Sequence, residues 1–249
     1  VMSKWVRPFG LATMLVLVWG SSIGLTQHPT TLKLVVQAGF APAFLKLQPQ
    51  LESRLNLKLQ ISERNAPQIF SMLTSPNRAQ TDVVIVNNDG TLNRFEDQQW
   101  ILKGSITPIV STQIVLWCSS DRVNLRVSIG ETLKAMQHVT LALPPTQAPS
   151  TRAIQPYLAT LAKSVRVIYT DNTLDSWRTA YHQKADCAVT LKSLVAGESL
   201  THYRAFPNHI AHISAAIPNA SPHSADATRL IELLNSPLMR SKIQALGYQ

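Results

Sequence analysis

The sequence predicts an α/β fold with a mostly parallel sheet covered by helices on both faces, and three observations carry that prediction. Short apolar runs of strand length alternate with stretches of helical spacing along most of the chain. The run at residues 82–86 (Asp-Val-Val-Ile-Val) is apolar without a break after its first residue, as in strands buried on both faces. The 249 residues are 45% hydrophobic and 15% charged, which is enough apolar material for two lobes or one large domain. With 15 prolines, 9 glycines and 2 cysteines, the chain is not collagen-like, a coiled coil, a disulfide miniprotein or a disordered acidic tail. A single membrane-like stretch excludes a multi-span membrane protein.

That stretch lies at the N-terminus, where residues 1–24 read as a secretory signal peptide. Lys4 and Arg7 precede an apolar-dominated run of 11 residues (9–19), and the small residues Gly20, Ser21 and Ser22 follow. The run is shorter than the ~20 residues that span a bilayer. Cleavage before Leu25 is expected, with an uncleaved membrane anchor as the alternative. Lys4 and Arg7 are two of the 23 basic residues against 14 acidic ones, so a net +7 remains on the rest of the chain. The folded part is therefore basic and favours anionic partners.

Residues 32–36 (Leu-Lys-Leu-Val-Val) open as a strand. A helix follows over residues 41–55, where Phe44, Leu47, Leu51 and Leu55 recur at three and four residues and Pro49 is expected to kink or divide it. Residues 57–61 alternate apolar and polar as a half-buried strand does. Ile69, Phe70, Met72 and Leu73 mark a short helix before the strand at 82–86. After Ile114 the alternation resumes: strand 139–143, helix 151–161, strand 165–169, a helix faced by Leu174, Trp177 and Tyr181, and a strand around Ala188. Ser221-Pro222 and Ser236-Pro237 each place a hydroxyl at an N-cap and a proline at the first helical position. Gly247 suits a C-terminal cap.

Catalytic chemistry is nearly absent from this pattern. There is no Walker loop, no GxGxxG and no HExxH, and Asp171, Asp175 and Asp186 form no carboxylate pair that suggests acid–base work. His209 and His212 fall in a strand, where residues three apart face opposite ways, and neither they nor His202 and His223 suggest a metal site. An enzyme is not expected, and neither is a cofactor. Cys118 and Cys187 both sit in apolar strand-like stretches. Two buried free thiols are the plainer reading, and a disulfide is the alternative in an exported protein.

The order of segments resembles the periplasmic molybdate-binding proteins that serve ABC transporters, which have the two-lobed type II periplasmic binding protein fold with a cleft between the lobes. The resemblance spans residues 32–248. It rests on residues 32–40 (LKLVVQAGF), 81–85 (TDVVI), 143–149 (LPPTQAP), 185–189 (ADCAV) and 230–237 (LIELLNSP), running on to Leu246-Gly247-Tyr248. It implies lobe one from 25–110 plus 206–249, lobe two from 111–205, and linking segments near 111–113 and 205–213 that act as a hinge. It also implies a small anion ligand, an ABC permease as partner, no nucleic acid, a monomer, and a periplasmic location.

In that family neutral donors at helix N-termini hold a tetrahedral oxyanion, because unpaired N–H groups and the helix dipole attract negative charge. Position by position, the resemblance puts one serine at Gly39 beside Phe40 and a second at Asn65 beside Ala66. Backbone donors fall near Ser150, Thr151 and Thr173, and a tyrosine falls at Leu191. Gly39 keeps an amide but no hydroxyl, Asn65 can donate through its side chain, and Leu191 has nothing to donate. Each lost bond to a charged group weakens binding by about 1.5–3 kcal/mol unless replaced. Ser150, Thr151, Thr173 and Thr190 are candidate replacements, with Arg64 or Arg152 as a source of charge. The pocket is therefore expected to be roomier and less polar, to bind molybdate or tungstate weakly at best, and to prefer a larger or partly organic anion. A sensor or interaction domain of the same fold, tethered by residues 1–22, is the alternative function.

Overall fold

The computed structural model describes residues 30–76, 80–119, 122–197 and 202–249. The signal-peptide reading therefore lies outside the described residues. Among the described residues no helix is long and apolar enough to cross a membrane.

Eight strands form one sheet in the order β2-β1-β3-β8-β4-β7-β5-β6. In chain order they are β1 (Thr31–Gln37), β2 (Lys58–Arg64), β3 (Val83–Asn87), β4 (Thr107–Cys118), β5 (Thr140–Leu143), β6 (Arg166–Tyr169), β7 (Cys187–Leu191) and β8 (Tyr203–Ala216). The helices are α1 (Ala41–Leu55), α2 (Ala66–Thr74), α3 (Thr91–Asp97), α4 (Ile129–Ala135), α5 (Pro149–Leu158), α6 (Thr173–Tyr181), α7 (Ser224–Leu234) and α8 (Pro237–Ala245).

The sheet is mixed, where the alternation of elements had suggested a mostly parallel one. β1 runs parallel to β2 and β3, and β5 runs parallel to β6 and β7. The two long strands β4 and β8 lie between these groups as an antiparallel ribbon. β3 joins the ribbon at Val84–Asn87 opposite Ile213–Ala216, and β7 joins it at the other end, opposite Ile114–Cys118. The ribbon slips register between Pro108 and Val110 and again between Gln113 and Val115. Such bulges bend and twist a pair of strands. Strands β2-β1-β3 are thus carried on one end of a bent ribbon and β7-β5-β6 on the other.

Alternation along the central strands shows why both faces are covered. Leu34, Val36, Val83 and Ile85 enter the large core beneath α1, α7 and α8. Val35, Val84 and Val86 point the other way, onto Ile69 and Leu73 of α2 and Leu92 of α3. A period of two on strands buried on both sides gives this unbroken apolar run.

Helix boundaries bring two corrections. α1 runs unbroken through Pro49. The carbonyl that proline leaves without a donor belongs to Leu45, whose side chain is on the exposed face, where solvent can reach the backbone. α7 starts at Ser224 with His223 at the N-cap, not at Ser221-Pro222. Ser221 instead donates to Asp82 Oδ1 at 2.8 Å and accepts from the His223 amide at 3.2 Å. Ser236 does cap α8, accepting from the Met239 amide at 3.4 Å.

Cys118 and Cys187 face each other across the β4–β7 pair and form a disulfide, with Cα atoms 4.0 Å apart. The plainer expectation of free thiols is thereby replaced. Both side chains are fully buried, and the register of two strands 69 residues apart decides the pairing.

The C-terminus is locked onto the ribbon, because Gln249 and Ser111 exchange backbone hydrogen bonds at 2.8 and 2.9 Å. Gly247 takes φ +88°, and a Cβ there would come within 2.5 Å of Ala196 Cβ, so only glycine fits. Next to it, burial pushes the Tyr248 phenol up to about 12. Folding thus favours the neutral phenol. That contribution is whole below pH ~10 and is lost as pH rises toward 12, by roughly 2–3 kcal/mol. Urea midpoints at pH 9 and pH 11.5 should therefore diverge in the wild type and diverge less in Tyr248→Phe. Equal divergence in both would contradict this.

Candidate functional site

Several strand ends converge on one region. β1 ends at Gln37, whose Oε1 accepts from the Asn87 amide at 2.9 Å and so ties the carboxyl ends of β1 and β3 together. β2 ends at Arg64, and Asn65 then caps α2. Its Oδ1 accepts from the Gln68 amide while Gln68 Oε1 accepts from the Asn65 amide, both at 3.0 Å. This capping box leaves Asn65 Nδ2 as the group able to donate elsewhere. β5 ends at Leu143 and leads through Pro144-Pro145 into α5, where Thr151 Oγ1 donates to the Pro144 carbonyl at 2.9 Å. β6 ends at Tyr169, and Asn172 caps α6 by accepting from the Asp175 amide at 2.9 Å. Crevices past the carboxyl ends of parallel strands are where α/β sheets bind ligands.

These ends enclose a cavity of about 340 Å³. From the first strand group it is lined by Gln37, Asn65, Ala66, Phe70, Asn87 and Asp89. From the second come Gln147, Arg152, Asp171, Asn172 and Thr173, with Pro145, Ala148 and Pro149 behind them. Its walls thus come from both ends of the bent ribbon, with the N-termini of α2, α5 and α6 opening onto it.

Two ion pairs bridge the cleft. Arg152 Nη2 lies 3.3 Å from Asp89 Oδ2, and Arg178 Nη1 lies 3.8 Å from Glu63 Oε1. Burial works to raise the Asp89 carboxyl, but hydrogen bonds from the Thr91 hydroxyl and from backbone amides, with the Arg152 guanidinium, outweigh it. They hold Asp89 below the usual carboxylate range. No cluster of metal-ligating side chains occurs among the described residues.

The expected site residues divide into two sets. Asn65, Ala66 and Thr173 line the cleft. Gly39, Phe40, Ser150, Thr151 and Leu191 lie beneath it, buried and outside the lining. Ser150 and Thr173 keep their hydroxyls 3.3 Å apart, and Thr190 Oγ1 donates to the Thr173 carbonyl at 3.3 Å. Gly39, Thr173 and Leu191 do meet. A Cβ at Gly39 would stand 2.9 Å from Leu191 Cδ1 and 3.8 Å from Thr173 Cβ. Leu191 therefore fills the space above Gly39 with hydrocarbon, and the open volume lies farther out. Five carboxamides and three charged side chains contribute to the lining of that volume, beside apolar surface from Phe70, Ala66, Ala148 and the prolines. Gln37 and Gln147 lie in stretches that carry the resemblance without being singled out as site residues, and Asn87, Asp89 and Asn172 belong to no sequence motif. Their one signal is their place just past the ends of strands.

Gly39→Ser should cost about 1–3 kcal/mol, because the new Cβ pushes Leu191 off its position. Leu191→Ala makes room for it, so the double variant should be more stable than the two single losses predict, with a coupling of roughly 0.5–3 kcal/mol. Strictly additive losses in chemical denaturation would show that the two side chains do not compete for this space.

The bacterial extracellular solute-binding protein family matches residues 32–249. The chain belongs to that family. No curated protein matches it by sequence. Among solved structures it is similar to the periplasmic molybdate-binding protein of Azotobacter vinelandii, at 18% identity and TM-score 0.76, over 88% of this chain and 98% of that one. It is also similar to the sulfate-binding protein SubI of Mycobacterium tuberculosis H37Rv, at 12% identity and TM-score 0.66, over 88% of this chain and 86% of that one. Iron-bound HitA of Pseudomonas aeruginosa matches at 15% identity and TM-score 0.63, over 87% and 84%. At these identities the likeness is one of fold, and the fold is the two-lobed one of periplasmic binding proteins. By family the chain is a bacterial extracellular solute-binding protein.

Proposed function

We propose that this solute-binding protein takes a small anion-bearing solute in the cleft, one larger than a bare tetrahedral oxyanion and partly organic, and delivers it to an ABC permease outside the cytoplasm. The observation that carries this reading is the 340 Å³ cavity with three helix N-termini opening onto it from both strand groups. Its size is within the ~300–1,000 Å³ of ordinary small-molecule sites, and helix N-termini favour negative charge without a fixed counterion. Leu191 packed over Gly39 supports the same view, since it occupies the place where the family pattern has donors.

In this reading lobe one comprises 25–110 and 206–249, and lobe two comprises 111–205. The β4–β8 ribbon is the hinge, with its register slips marking where it bends. The chain works as a monomer, exported by residues 1–24, and its surplus of basic residues collects anions at a distance.

A thermal-shift screen with molybdate, tungstate, sulfate, phosphate and small organic acids tests this reading. We expect a clear upward shift with at least one organic acid and weak molybdate binding in calorimetry. A molybdate Kd well below a micromolar would contradict the altered-ligand reading. No shift with any anion would favour the sensor or interaction domain.

A further inference from the structure

The charges lining the cleft are unequal. Arg152 is the cation among the lining residues, and Asp89 and Asp171 are the anions. Asp89 is held from both sides: the Thr91 hydroxyl donates to Oδ1 at 2.7 Å, while Oδ2 faces Arg152 at 3.3 Å across the cleft. The Arg152 and Asp89 side chains are 61% and 39% exposed, so the pair is solvated and contributes little by itself.

A solute with only negative charge can reach Arg152 by drawing it away from Asp89. It would then share the cavity with two carboxylates and no other lining cation, which Coulomb repulsion disfavours. A solute with an anionic group at one end and an ammonium at the other meets no such conflict. Its anionic end takes over Arg152 and its ammonium takes over Asp89 Oδ2, so one exposed pair becomes two. The carboxamides of Asn87 and Gln147 both donate and accept, and so serve either end, while Asn65 Nδ2 can donate to the anionic one. Phe70 offers an apolar wall for a short hydrocarbon between the ends.

We propose that the solute of this cleft is a small zwitterion, bound with its anionic group at Arg152 and its ammonium at Asp89. This rests on the reading of the cleft as the solute site. Calorimetry on the full chain, with β-alanine, 4-aminobutyrate and 2-aminoethylphosphonate beside propionate, butyrate and ethylphosphonate, isolates the ammonium. At least one amino compound should bind tenfold or more tightly than its counterpart. Asp89→Asn should abolish that preference, weakening the amino compound at least tenfold and leaving the counterpart unchanged or tighter. Arg152→Gln should weaken both members of the pair. Thermal melts of both variants establish that these exposed substitutions leave the fold intact.

Equal binding of both members of every pair, or equal weakening of both by Asp89→Asn, overturns the zwitterion proposal and leaves the cleft reading standing. So does saturable binding of molybdate or sulfate with none of the six organic probes. No binding by any of these compounds overturns both.

Discussion

Asp82→Ala should destabilise the protein by roughly 3–5 kcal/mol, among the largest effects of any single substitution. The carboxylate is 3% exposed, yet the groups it holds are distant in sequence. Its Oδ2 accepts from the Lys33 amide at 2.8 Å, and its Oδ1 accepts from Ser221 Oγ at 2.8 Å and lies 3.1 Å from His223 Nδ1. One side chain therefore joins the start of β3 to β1 and to the turn that launches α7. Removing it leaves a part-buried amide and a hydroxyl without their acceptor, and frees the C-terminal helices from the first strand group. Urea denaturation measures the loss. Ser221→Ala should cost only a fraction as much, since two partners remain. A loss below about 1 kcal/mol for Asp82→Ala would mean that this network does not anchor the C-terminal segment.

Breaking the Cys118–Cys187 bridge should cost about 3–4 kcal/mol, because it closes a loop with a sequence separation of 69 residues. For a chain of this size that corresponds to a Tm lower by on the order of 10 °C. The Cys118→Ala/Cys187→Ala variant should melt at that lower temperature and ignore dithiothreitol, while the wild type should fall toward it when reduced. If a sample whose two thiols are alkylated after reduction melts with the oxidised protein, the bridge adds nothing to stability.

The sequence carried the local elements well where pattern and chemistry agreed. The alternating runs located β1, β3 and β5 to within a residue and the start of β2, which runs three residues farther than expected, to Arg64; Ser236-Pro237 marked the start of α8, and Asn65 fell at a helix cap. α3 and α4 escaped notice, since each is only seven residues long and mixes apolar with polar positions. The antiparallel ribbon was also missed as a ribbon: strand polarity depends on partners 86 to 108 residues away, from Trp117–Tyr203 to Thr107–Ala215, which no local pattern encodes. The disulfide belongs to the same class, because the two cysteines become opposite neighbours only through the β4–β7 register.

The cleft was half legible for a related reason. Residues whose role can be read from a helix start, such as Asn65 and Thr173, reach the lining. Leu191 and Gly39 are 152 positions apart in the chain, and only the structure shows that they are neighbours and that the side-chain space between them is filled. Asp89 and Arg152 are 63 residues apart and meet solely because the ribbon brings the two strand groups face to face.

Amide chemical shifts in a heteronuclear NMR titration test the central claim, that the cleft past the strand ends is the solute site, most directly. With a ligand found in the screen, the backbone amides of Ala66 and Thr173 and the side-chain amides of Asn65 and Asn87 should shift together and saturate at one common concentration. Saturable shifts confined to another surface, such as the groove between Leu102–Thr107 and α7, with these four unmoved, would contradict the account.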